Sequence, residues 1–281
     1  MTATVRRADA DGTALTDLDI RPYLDGLGAG LAGSANVIMQ LALAPVGYGV
    51  LESKVESGQV TRHPIKRART TFTYLAVALL GTDEDRTRYR KAVDGSHRLV
   101  RSDALNPVQY NAFDPGLQLW VAACLYFGTV DLHERMYGPP ADPDALYRYC
   151  ARFGTTLQVR PEMWPADRAA FAQYWERTVA TLSIDESIRR YLYDLTALRH
   201  LPFVPRGVSQ LNLWIATGFL PEPFREQMQL AWGPRDQQRF DALLRRLGTM
   251  QRRLPAAVRC LPFSVLLWDM RRRVRAGRAL V

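Results

Sequence analysis

The chain has 281 residues, 37 lysines and arginines against 28 aspartates and glutamates, a net charge of +9, and 47% hydrophobic residues. That length and apolar content favour one large domain with its own core. Lysine occurs only at Lys54, Lys66 and Lys91, and the arginines are scattered among carboxylates except at Arg271-Arg272-Arg273-Val274-Arg275. This distribution argues against a nucleic-acid binder and leaves a basic tail, solvated or set against a membrane or polyanion.

The three cysteines, Cys124, Cys150 and Cys260, make neither a zinc spacing nor a disulfide framework, so a reducing, cytoplasmic compartment is expected. The first thirty residues mix charges and hold no apolar core before a cleavage site, so no secretory signal is expected. Residues 31–51 carry no charge and approach the length of a membrane span. They contain Gly33, Ser34, Asn36, Gln40, Pro45, Gly47 and Gly49, however, and read better as a buried helix ending near Pro45, followed by a glycine-rich turn.

In chain order, residues 1–17 form a lead-in without periodicity, 18–276 a single helical domain, and 277–281 a tail. Asp17 or Asp19 caps a short helix near Arg21-Pro22. Val37, Ile38, Met39 and Leu41 belong to a core helix, and Gly47-Tyr48-Gly49 then permits close approach of another helix or a flat ligand. After a polar loop at 54–62, Pro64 starts a helix to Leu80, stopped by Gly81. Asp83, Glu84 and Asp85 start the next, which carries His97 in its final turns. Asp114-Pro115 opens a strongly apolar helix to about Met136, ended by Gly138-Pro139-Pro140.

Further helices are expected at 142–153, 165–182, 185–201 and 208–217. Short ones follow from Pro223 and Pro234, and a last amphipathic helix follows Leu254-Pro255 to about Arg275. No alternating run supports a sheet and there is no internal repeat, so the fold class is all-α.

Of the four histidines, His63, His97, His133 and His200, none forms a His-x-x-x-His or Glu-x-x-His pair. Glu134 beside His133 diverges from it on a helix. No Gly-x-Ser-x-Gly elbow, Walker loop or dinucleotide fingerprint is present, which removes the usual support for hydrolase, kinase and dehydrogenase classes. What stands out is a constellation. Arg67, Thr70 and Thr71 share a helix face with Tyr74 and Leu75, His97 sits in an apolar stripe with Val93 and Val100, and Tyr110-Asn111-Ala112-Phe113-Asp114-Pro115 follows. A neutral imidazole in such a wall can bind a metal, with the guanidinium and hydroxyls serving propionates or oxygen. The six tryptophans, Trp120, Trp164, Trp175, Trp214, Trp232 and Trp268, read mostly as core packing.

Several stretches, in order and spacing, resemble the haem-dependent oxygenase superfamily that includes the latex-clearing rubber oxygenases and the fungal mycophenolic-acid pathway oxygenase. They are Gln40-Leu41 with Pro45, Pro64 through Arg67-Ala68-Arg69-Thr70-Thr71, His97-Arg98-Leu99-Val100, and Tyr110 through Trp120-Val121. Glu134 to Pro139, Gly218 to Pro221 with Arg225, and Leu254-Pro255 with Arg259 and Pro262 continue the series. The resemblance implies haem b with His97 as axial ligand, and Arg67 and Thr71 near the haem. A lysine that caps the iron in one rubber oxygenase is Thr70 here. A histidine that many relatives carry after the Trp-Val pair is Ala122, and the stretch near Gln40 has one residue more before Pro45 than the usual pattern.

The expected function is therefore a haem b-dependent oxygenase. His97 is its metal ligand, Arg67 and Thr71 its catalytic groups, and Arg67, Thr70 and Thr71 its cofactor contacts. The substrate is expected to be a hydrophobic small molecule (isoprenoid, lipid or aromatic metabolite), with an unidentified redox partner, a peripheral membrane contact and no nucleic acid. The alternative is a haem- or lipid-binding helical protein without turnover, which Ala122 and the basic tail favour.

Overall fold

The computed structural model describes residues 18–53 and 63–281. The expected lead-in at 1–17, with Asp17 as a cap, and the polar loop at 54–62 lie outside the described residues. Fourteen α-helices run through the described residues, and the only β-type pairing among them is an isolated antiparallel bridge between Arg101 and Asn111.

The centre is α5, Pro115–Tyr137. Its apolar residues run round the whole circumference, as expected of a helix covered on all sides. One face, with Leu119, Ala122, Ala123 and Tyr126, enters a core with α3 (Pro64–Leu80), α6 (Pro143–Cys150), α7 (Arg152–Thr155), α8 (Arg168–Val179) and α14 (Leu261–Arg275). Trp120, Cys124, Leu132 and Met136, on its other side, enter a second core with α1 (Gly26–Leu41), α9 (Glu186–Thr196), α10 (Arg206–Phe219), α11 (Glu222–Gln227) and α12 (Pro234–Gln251). The α5–α12 crossing is close enough to require glycine: a Cβ on Gly248 would lie 1.9 Å from the Met136 carbonyl oxygen.

Local chemistry sets most boundaries. Asp25 caps α1 by accepting from Gly28 N at 2.8 Å, and Asp114, Asp142, Asp167 and Asp185 cap α5, α6, α8 and α9 in the same way. Thr82 and Asp85 form a capping box at the start of α4, Asp83–His97. Gly138, at φ +85°, ends α5. Asp19 accepts from the backbone N of Arg21 at 3.2 Å, at the 3-10 turn Arg21–Tyr23.

Five expectations change. The glycine-rich stretch after Pro45 is helical, not a turn: α2 spans Ala44–Leu51 with Pro45 in its first turn. A Cβ on Gly47 would meet the Leu41 carbonyl oxygen at 2.6 Å and Ile188 Cδ1 at 2.7 Å, so the close approach is that of two helices, the end of α1 and α9. The helix expected over 142–153 divides at Ala151 into α6 and α7. The helix expected from Pro165 begins at Arg168, where Asp167 supplies the cap. The helix at Pro234 has 18 residues and is not short, because its apolar face, with Phe240 and Leu244, is buried along its length. The last amphipathic segment comprises α13 (Ala256–Arg259) and α14, joined at Cys260, whose backbone stays in the right-handed helical region.

No single described helix is long and apolar enough to cross a membrane; α1 and α2 together have the composition but meet at 109°. The three cysteines are buried, and burial raises each thiol's pKa.

Candidate functional site

The segment that ends α4 is folded back on itself. Val100 N donates to His97 O at 2.9 Å, Ala112 N donates to Val100 O at 2.9 Å, and Ser102 N donates to Tyr110 O at 2.9 Å. This closure sets Phe113 edge-on to His97, with ring centroids 6.1 Å apart. Every residue of the 110–115 motif has a structural task. The Tyr110 hydroxyl donates to Glu52 at 3.0 Å, Asn111 accepts from Phe113 N, the Ala112 carbonyl accepts from Gln118, and Asp114 and Pro115 start α5.

His97 is half-buried, and neither ring nitrogen has a hydrogen-bond partner among the described residues; its Nδ1 is fully buried. Burial, reinforced by the nearby Arg67 charge and only partly opposed by Asp94, pushes its pKa down to about 4. The imidazole is therefore neutral at physiological pH, with a lone pair unused. Asp94, one turn earlier on α4, accepts from Gln158 Nε2 at 2.7 Å, and Gln158 N donates to Gln118 Oε1 at 2.8 Å. These bonds tie the end of α4 to the start of α5.

Arg67 lies in the first turns of α3, where its N–H bonds to His63 O at 2.9 Å. Its side chain is reached by solvent, yet protein surrounds the guanidinium closely enough that desolvation is the main influence on it and lowers its pKa, against the opposing effects of Tyr191 and Tyr89. His97 and Tyr191, on α9, share its electrostatic surroundings. These three side chains come from α3, α4 and α9.

Thr70 and Thr71 differ. The Thr70 hydroxyl donates to the Arg67 carbonyl at 2.9 Å, and the Thr70 carbonyl accepts from the Tyr89 hydroxyl at 2.7 Å, so this residue is engaged in holding α3 to α4. The Thr71 hydroxyl has no partner among the described residues. Ala122 is fully buried on the α5 face that packs into the first core.

Among the described residues, no three His, Cys, Asp or Glu side chains converge as a metal-ligand group, so His97 stands as a single donor. His133 packs between the rings of Tyr23 and Tyr137, with centroids 5.1 and 5.3 Å away, and burial pushes its pKa down to about 4. Burial also lowers the pKa of His200. A separate surface cleft of about 980 Å³, between Arg21, the α3–α4 corner and α14, includes neither Arg67 nor His97.

Residues 21–252 match the model of the ER-bound oxygenase mpaB/B'/rubber oxygenase catalytic domain. The chain belongs to this oxygenase family. It is also similar to uncharacterized proteins of Mycobacterium bovis and Mycobacterium tuberculosis, each 53% identical over 254 residues, covering 89% of this chain and all of the relative. No solved structure matches it. The matched region holds Arg67, Thr71, His97 and Tyr191, and stops before α13 and α14. Asp94, Gln158 and Tyr191 escape a reading of the sequence. Asp94 lies three residues before His97, a helical neighbour that spacing alone could have named, whereas Gln158 and Tyr191 arrive from distant segments with no local signature.

Proposed function

We propose that this chain is a haem b-dependent oxygenase acting on a hydrophobic small molecule, of the isoprenoid, lipid or aromatic kind. The observation that carries this reading is His97: a neutral imidazole, one nitrogen buried and without a partner, within electrostatic reach of the Arg67 guanidinium. A histidine must be deprotonated to ligate a metal, and burial has already done this. The donor set thus fits a haem. His97 would hold the iron, Arg67 would pair with a propionate, and Thr71 would offer a hydroxyl from the same helix.

Bound haem would supply the redox chemistry that activates dioxygen. The chain's own work is ligation, exclusion of water and orientation of substrate. Support for an apolar substrate comes from exposed Leu99, just past His97, and from exposed Leu105 in the loop between α4 and α5. The test is a haem titration followed by visible absorption, with wild type beside His97→Ala. Saturation near one haem per chain, lost in the variant, is expected; full haem retention in the variant sinks the ligand assignment.

A second reading, a haem- or lipid-binding protein without turnover, draws on Ala122, whose position is filled by core packing. Oxygen consumption by the reduced, haem-loaded protein with candidate hydrophobic substrates separates the two.

A further inference from the structure

The chain's C-terminal helices leave an apolar stripe uncovered. Leu254, Val258, Leu261, Val265 and Trp268 are 42%, 47%, 53%, 50% and 56% exposed. Val258, Leu261, Val265 and Trp268 recur at intervals of three, four and three, which keeps them on one side of the nearly continuous α13–α14 segment, and Leu254 stands just before it. The opposite side of α14, with Phe263, Leu267 and Met270, is buried in the first core. The stripe is therefore a second apolar face on a helix that already has one packed inward.

Charge decides what fits it. From Leu254 to Val281 there are six arginines and a single carboxylate, Asp269, which is engaged by Arg272 and Arg273. Arg252 and Arg253 stand exposed at the other end of the stripe. Pairing with a second copy in either direction would set arginine against arginine, because both ends are basic. A surface that is apolar within and anionic at its edge complements it. Trp268, stacked beneath the Arg272 guanidinium at 5.4 Å, is the residue type that settles at the boundary between hydrocarbon and headgroups. From Val258 to Trp268 the stripe is about 15 Å long, too short to span a bilayer but suited to lying in its surface.

We propose that the α13–α14 face docks onto an anionic phospholipid surface, with Val258, Leu261, Val265 and Trp268 among the acyl chains and Arg272 and Arg275 on the phosphates. This places the C-terminal face of the chain against a lipid phase, independently of any cofactor.

The test is co-sedimentation of the full chain with phosphatidylglycerol–phosphatidylcholine vesicles and with phosphatidylcholine alone, at low and high salt, alongside the tryptophan fluorescence that wild type shows and Trp268→Phe lacks. Wild type is expected to bind the anionic vesicles, with a blue shift and weakening in salt. Val265→Ser with Trp268→Ser should reduce partitioning on the order of tenfold, and Arg272→Gln with Arg275→Gln should abolish the preference for anionic lipid. These positions are exposed, so circular dichroism should show the variants folded. Failure of wild type to bind anionic vesicles, or equal binding by the serine variant, overturns the proposal. So does a concentration-dependent dimer that the serine substitutions dissolve, since the stripe would then be covered by a second copy.

Discussion

Gln158 donates a hydrogen bond to Asp94 at 2.7 Å, and Asp94 lies one helical turn before His97. The pair links the end of α4 to the loop after α7 and to the start of α5 through Gln118. It orients the end of the helix that presents the imidazole. Removing it by Gln158→Ala or Asp94→Ala should leave the chain folded and weaken haem binding about ten- to a hundredfold, the usual cost of losing support behind a ligand. Titration with haem checks this; unchanged affinity in both variants removes the positioning role.

His133 gives a pH dependence whose sign follows from its environment. Burial first, then the charges of Arg259 and Arg252, push its pKa down to about 4, below the value of about 6.5 for an unfolded chain. Between these values the unfolded state binds the proton and the folded state does not, so stability falls as pH drops from about 6.5 and levels off below about 4. The loss is on the order of 2–3 kcal/mol. Urea unfolding of wild type and His133→Gln across this range checks it; the variant should show a shallower slope.

Two glycines should respond in opposite directions to alanine. In Gly248→Ala the new methyl would meet the Met136 carbonyl at 1.9 Å, forcing α12 off α5 at a cost of about 3 kcal/mol or more. Gly95, within α4, has nothing within 4 Å of an added Cβ, and alanine there should stabilise by about 0.5–1 kcal/mol. Thermal melts of the two variants distinguish a close crossing from an unused freedom.

Asp85 joins two jobs. It completes the capping box with Thr82 and accepts from Arg271 Nη2 at 2.6 Å, linking α4 to α14. Burial alone would raise its pKa, but the hydrogen bonds from Arg271 and Thr82 outweigh this and hold it below the ordinary carboxylate range. Its contribution is therefore present above about pH 4 and lost as pH falls through the depressed value. Asp85→Asn should cost about 1–2 kcal/mol at neutral pH, read from the urea midpoint.

The helices that bear Arg67 and His97 are legible because their ends carry their own chemistry. Pro64, Gly81, Thr82 to Asp85, Asp114-Pro115 and Gly138 act within a few residues of themselves. α2 is not legible, since Gly47 and Gly49 oppose a helix locally and are tolerated only because α9 and Tyr110 pack against them. The same division holds at the site. Arg67 and His97 stand out by type and spacing, whereas Tyr191 becomes their neighbour only through the packing of α9. Thr70 shows the reverse: a residue marked out in the sequence whose hydroxyl the fold directs to its own helix.

α3 packs more extensively on α14 than on any other helix, although roughly 180 residues separate them. During synthesis, at about 5–20 residues per second, the helix bearing Arg67 and Thr71 would wait about ten to forty seconds for the one that covers its back. Over that interval Ala76, Val77 and Leu79 have no partner from α14, and a nascent chain in that state is a client for a chaperone. A fragment ending at residue 252, where the family match stops, would keep that state permanently.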